Sequence, residues 1–146
     1  MQVHIIGIEN MVDNVAPPAV WDALRTDPDA QMVDVRTDAE WNFVGIADLS
    51  AANKAPALIP WQLFPSMQVN AAFTDQMKQA GLKPENKIYF LCRSGVRSMA
   101  AAQAAIDAGF PHSYNISDGF EGPPDGAGHR GVTAGWKADN LPWRQR

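Results

Sequence analysis

An α/β domain built on a parallel sheet is the fold class this sequence predicts, and three observations carry it. Met32-Val33-Asp34-Val35 and Lys87-Ile88-Tyr89-Phe90-Leu91 are short, near-continuous apolar runs, as strands covered on both faces require. Stretches with helix start and stop signals alternate with such runs. The second run passes straight into Cys92 at a strand-to-helix turn, and open α/β sheets collect their binding sites at such strand ends.

Taken in chain order, Val3 to Ile8 is a weaker strand candidate. Pro17-Pro18 opens a helix that sets Val20, Trp21 and Leu24 on one side, and Asp27-Pro28 follows its end. After the strand at Met32 to Val35, Thr37-Asp38-Ala39-Glu40 has the spacing of a capping box for a short helix, with Trp41 and Phe43 expected in the core. Ala57 to Ile59 is another weak strand, inside a stretch (42–65) with few regular signals. Asn70 is placed to cap a helix whose Phe73, Met77 and Ala80 follow one stripe, with Gly81 as its stop. Ser98 to Ala108 is an alanine-rich helix carrying Met99, Ala102 and Ile106 on one face and ending at Gly109. Ser113 to Ile116 is the last strand candidate. The segment 121–146 is rich in Gly and Pro yet holds Trp136 and Trp143. Disordered tails are poor in aromatic residues, so this one is expected to dock on the domain.

Bulk properties narrow the function. A chain of 146 residues suits a single domain, 1–146, and 46% hydrophobic with 19% charged residues excludes a largely disordered one. A formal charge of −4 recruits neither nucleic acid nor an anionic membrane, so any anion site needs a local source of positive potential. No apolar run approaches the ~18 residues of a membrane span. The N-terminal residues lack a basic segment and a small-residue cleavage site, so a cytoplasmic location is expected. One cysteine excludes an internal disulfide and a CxxC pair, and His4, His112 and His129 have no ligand spacing with it. No metal and no cofactor are expected.

The chemistry concentrates in Cys92-Arg93-Ser94-Gly95-Val96-Arg97-Ser98. Backbone N–H groups of a turn at a helix start converge on an anion, and the same dipoles favour a thiolate placed there. Arg93 and Arg97 add charge, and Gly95 allows the close curvature of the loop. These features together make Cys92 the expected nucleophile.

This loop closely resembles the active-site loop of rhodanese-like sulfurtransferases. Upstream, the segment from Val33 through Asp34, Arg36 and Glu40 to Trp41 resembles that family's second hallmark, a D-x-R strand end before an acidic helix start. The resemblance spans roughly residues 10–122, and Gly128-His129-Arg130-Gly131 with Gly135-Trp136-Lys137 looks like the C-terminal extension of a bacterial single-domain subgroup, here residues 123–146. It implies a five-stranded parallel sheet flanked by helices, with Cys92 cycling between thiol and persulfide. By the same resemblance the loop, Arg93 through Ser98, binds the donor, Arg36 lies near the pocket and Asp34 braces it.

Implied partners are a small sulfur donor such as thiosulfate and an external acceptor, a thiol, cyanide or a protein. No second cysteine exists to resolve a persulfide internally. Cysteine phosphatases and arsenate reductases are disfavoured by spacing. They need an arginine six positions after the cysteine, where this chain has Ser98 and sets its arginine one residue earlier. The competing expectation is a persulfide carrier or regulatory protein-binding module with poor thiosulfate turnover, because it needs the same thiolate. Of the remaining residues, Ser98 is expected to cap or open the helix, Glu40 to cap, and Phe120 and Glu121 to border the site.

Overall fold

A computed structural model of the chain describes residues 12–146. The strand candidate Val3 to Ile8 and His4 lie outside the described residues. Among the described residues, nine short strands and four α-helices follow one another. β1 is Asn14–Val15, α1 Pro17–Thr26, β2 Ala30–Asp34, α2 Asp38–Phe43, β3 Ile46–Ala47 and β4 Ala57–Leu58. A hairpin of β5 (Gln62–Leu63) and β6 (Gln68–Val69) leads to α3 (Phe73–Gln79), β7 (Lys87–Leu91), α4 (Val96–Asp107), β8 (Ser113–Ile116) and β9 (Trp143–Arg144).

The main sheet has five parallel strands in the order β1-β8-β7-β2-β4. Central β7 and β2 run in register from Ala30 opposite Lys87 to Asp34 opposite Leu91, and Val35 N–H continues the ladder to the Leu91 carbonyl at 2.8 Å. Side-chain alternation along these strands divides the core in two. Val33, Val35, Ile88, Phe90 and Cys92 face α3 and α4, packing on Phe73, Met77, Ala101 and Ala105. Met32, Tyr89 and Leu91 face the other way, toward Val20 and Leu24 of α1 and toward Phe120 and Trp136.

Helix signals act as elementary chemistry requires. Pro17 opens α1, where its missing N–H costs nothing. Thr37 and Glu40 form a reciprocal capping box on α2. Asn70 works three residues ahead of α3, its Oδ1 accepting from Ala72 N–H at 3.1 Å while its amide donates to the Pro60 carbonyl and Gln76 Oε1. Phe43 departs from expectation, being 83% exposed while Trp41 is buried. Two residues turn a helix by roughly 200°, so the face that buries Trp41 turns Phe43 outward. Ala80 caps the C-terminal end of α3 and is exposed.

Beyond the sheet, Trp136 is fully buried, meets Trp21 edge-on at 6.1 Å and donates its indole N–H to the Pro142 carbonyl at 2.7 Å. Farther along, β9 pairs antiparallel with β3, Trp143 opposite Ala47.

Candidate active site

Cys92 sits at the C-terminal end of β7, and its loop is gripped from below by backbone. Phe120 and Glu121 N–H groups donate to the Cys92 and Arg93 carbonyls at 2.8 and 3.0 Å. Gly119 makes this approach possible, since a Cβ there would lie 2.4 Å from the Cys92 carbonyl oxygen. Phe120 and Glu121 thus brace the loop through their main chain. Gly95, at φ +109°, turns the chain into α4 and is its N-cap.

The thiol is 1% exposed and lies at the base of a cleft of about 350 Å³. Two donors reach Sγ, Gly95 N–H and Ser98 Oγ–H, each at 3.1 Å. Ser98 stands in the first turn of α4, fully buried, and its hydroxyl turns to the sulfur rather than capping the helix. It also touches Asn115 Oδ1, and the Asn115 amide donates to Asn14 Oδ1 at 2.8 Å. A polar chain, exposed at Asn14 and buried at Asn115 and Ser98, therefore runs from β1 through β8 to the cysteine.

The cleft walls are Arg93, Ser94, Val96 and Arg97 from the loop and α4, Glu40 from α2, and Gln62 and Met67 from the β5–β6 hairpin. Arg93 is exposed, and no carboxylate of the described residues pairs with it. Arg97 is differently placed. Its Nη1 and Nη2 donate to Glu40 Oε1 and Oε2 at 2.6 and 2.8 Å, a fork-to-fork pair. Burial alone would raise the Glu40 carboxyl, but the Arg97 hydrogen bonds and charge outweigh it and hold it below its ordinary value. The Glu40 hydrogen bond in turn raises Arg97.

Arg36 does not reach this cleft. It is 0% exposed and pairs with equally buried Asp34, Nη2 to Oδ2 at 2.7 Å, and donates to the Gly45 carbonyl at 2.8 Å. Its guanidinium stacks 4.3 Å from the Phe120 ring. The reason is strand parity: Asp34 and Arg36 follow Met32 onto the α1 face, whereas Cys92 follows Phe90 onto the face of α4. Asp34 braces Arg36 rather than the loop around Cys92. His112 and His129 are exposed and do not line the cleft.

A family model described as the rhodanese-like domain matches residues 17–122, which include both Cys92 and the Asp34–Trp41 segment. The chain belongs to the rhodanese-like domain family. Rhodanese-like membership is consistent with sulfurtransferase-type activity, and the five-stranded parallel sheet flanked by helices is the fold of the family. The crystal structure of Rv0390 from M. tuberculosis is 39% identical, with a TM-score of 0.84, covering 93% of this chain and 99% of that one. The protein named "Uncharacterized protein RP600" of Rickettsia prowazekii is 38% identical over 92% of this chain and 98% of its own length. The solution structure of a polysulfide-sulfur transferase homodimer from Wolinella succinogenes shares the rhodanese-like fold, at 21% identity and a TM-score of 0.61 over 94% of this chain and 80% of that one. No helix among the described residues is long and apolar enough to cross a membrane.

Gln62, Met67 and Asn115 join the site without having been singled out in the sequence. A signal existed for Asn115, an amide inside the strand Tyr114-Asn115-Ile116. None existed for the hairpin.

Proposed function

We propose that this chain is a sulfurtransferase in which Cys92 accepts a sulfane sulfur from a small donor, thiosulfate or a persulfide, and hands it to an external thiol, cyanide or protein acceptor. The observation that carries the reading is Cys92 Sγ at the base of an open cleft, met by Gly95 N–H and Ser98 Oγ–H at 3.1 Å. Both donate hydrogen bonds to the sulfur that serves as nucleophile, and so hold it in place at the base of the cleft. The thiolate attacks the outer sulfur of the donor, a Cys92 S–S bond forms, and the donor's own S–S bond breaks with its electron pair. An acceptor thiolate then repeats the displacement on the persulfide. Each step is an exchange between sulfur atoms and needs no added oxidant. Arg93, which pairs with no carboxylate among the described residues, attracts an anionic donor at the rim.

A second reading, a persulfide carrier serving a protein partner, is favoured by the hairpin beside the cleft. Leu63, Phe64, Met67 and Val69 are all exposed there, with Val96 across from them at 77%. Apolar side chains clustered around a reactive group mark a contact surface. One experiment tests both readings. Intact mass is followed after a sulfur donor and then after cyanide, with Cys92→Ser in parallel. A gain of one sulfur atom that cyanide removes, absent in Cys92→Ser, supports the enzyme. Loading that only a protein discharges favours the carrier. Loading that persists in Cys92→Ser rejects both.

A further inference from the structure

We propose that Glu40 is a specificity determinant of the Cys92 cleft, which by occupying Arg97 turns sulfur loading away from dianionic thiosulfate and toward organic hydropersulfides. The inference rests on the sulfurtransferase reading and names the donor class for it.

The geometry is that of a site already filled. Glu40 presents two oxygens to the two terminal nitrogens of Arg97 at 2.6 and 2.8 Å, the arrangement by which a guanidinium would hold two oxygens of a sulfur oxyanion. The carboxylate is not free to swing aside. Its Oε1 also accepts from Thr37 N–H at 3.3 Å and Thr37 Oγ1–H at 3.1 Å, as part of the capping box that starts α2. Both side chains are mostly shielded, at 18% and 21% exposure, so solvent screens the pair less than a rim contact. Of the two arginines in the wall, then, Arg97 is paired and Arg93 has no carboxylate partner among the described residues, while a third charge in the wall is negative.

This matters differently for the two donors. Thiosulfate enters with two negative charges, and when its S–S bond breaks the electron pair leaves on sulfite, also doubly charged. A hydropersulfide, RS–SH, carries at most one charge at the reacting end. Attack by the Cys92 thiolate on its terminal sulfur forms Cys92–S–SH and releases RS⁻, which takes a proton from water. Total charge and electron count balance in both reactions, but only the first brings a dianion against Glu40.

The test uses Glu40→Gln, because glutamine at this helix position still closes the capping box while the charge is gone. Loading of Cys92 is measured by intact mass with thiosulfate and with 2-hydroxyethyl hydropersulfide. In the native protein the hydropersulfide should load at least about tenfold faster, the scale of one charge-assisted hydrogen bond withheld. In Glu40→Gln the ratio of thiosulfate to hydropersulfide rates should rise about ten- to a hundredfold. Asp38→Asn removes an exposed charge from the same helix outside the cleft wall and should move the ratio by no more than about twofold, being screened. Equal native rates for the two donors overturn the proposal, whether or not the variant folds. So does an unchanged ratio in Glu40→Gln, or an equal rise in Asp38→Asn. If neither donor loads native Cys92 while iodoacetamide still alkylates it, the sulfurtransferase reading falls and this inference with it.

Discussion

Ser98 Oγ and Cys92 Sγ lie 3.1 Å apart, joining the first turn of α4 to the strand end before it. Asn115 Oδ1 sits on the far side of the same hydroxyl, so the one proton of Ser98 is shared between a sulfur and an amide oxygen. Deprotonated sulfur draws that proton toward itself. Ser98→Ala should therefore slow sulfur loading about tenfold or more, the cost of one hydrogen bond to a charged group, without unfolding the chain. Loading rates at saturating donor, beside a circular dichroism melt, check this. A rate equal to native would leave Gly95 N–H as the sulfur's sufficient support.

A buried ion pair on the opposite face of the sheet invites a different expectation. Asp34 and Arg36 are both 0% exposed, and removing one partner leaves the other charged and unpaired in the core. Arg36→Met should lower unfolding stability by about 3–5 kcal/mol in a urea titration. The double variant Asp34→Leu/Arg36→Met should recover much of that loss, because the cost lies in the orphaned charge rather than in the missing attraction. Sulfur loading per folded molecule should match native, since neither side chain touches the cleft. A loading defect in the folded double variant would return Arg36 to the donor site.

These two residues also mark how far the site could be read from the sequence. The strand-to-helix turn at Cys92 was legible because apolar run, cysteine, glycine and helix start are adjacent in the chain. So was the capping box, a four-residue pattern. Arg36 shares a sheet edge with Cys92 but not its face, and so it does not line the cleft. Counting alternate residues from Met32 puts Asp34 and Arg36 on one face, and counting from Phe90 puts Cys92 on the other. Glu40 and Arg97 are 57 positions apart, and no local pattern announces that a capping carboxylate will also hold an arginine of the loop. The hairpin strands are two residues each, too short for any periodicity to register.

Gly119 offers a test of how the loop is supported. Its backbone at φ +60° is pressed so close that a Cβ would stand 2.4 Å from the Cys92 carbonyl oxygen and 2.7 Å from the Arg93 carbonyl carbon and oxygen. Every atom it would meet is main chain, so no side chain can swing away. Gly119→Ala should push the Cys92 loop off the 118–121 turn, with a loss of ~1–3 kcal/mol and a larger fractional loss of loading. Gly81→Ala is the matched control. It too has a positive φ, +90°, but open space around it, so it should cost stability without affecting loading.

The last expectation concerns acid. Glu40 titrates below the ordinary 4.5 because the Arg97 hydrogen bonds and charge, with Thr37, outweigh its burial. A carboxyl whose folded value is depressed binds fewer protons folded than unfolded across the window between the two values. Its stabilisation is therefore complete above about 4.5 and is lost as pH falls through the lower folded value. Native stability alone cannot isolate this, because Asp27, held down by its hydrogen bond to Lys87, and Asp48, held down by Ser50, lose theirs in the same direction. The difference between native protein and Glu40→Gln removes those shared contributions. Urea titrations from pH 7 downward should show a constant gap in favour of native to about pH 5, then a steady narrowing as Glu40 takes up its proton and its pairing with Arg97 becomes neutral-to-charged. A gap that stays constant through pH 3, or that widens, would mean that the Glu40–Arg97 pair contributes nothing to folding and acts on the cleft alone.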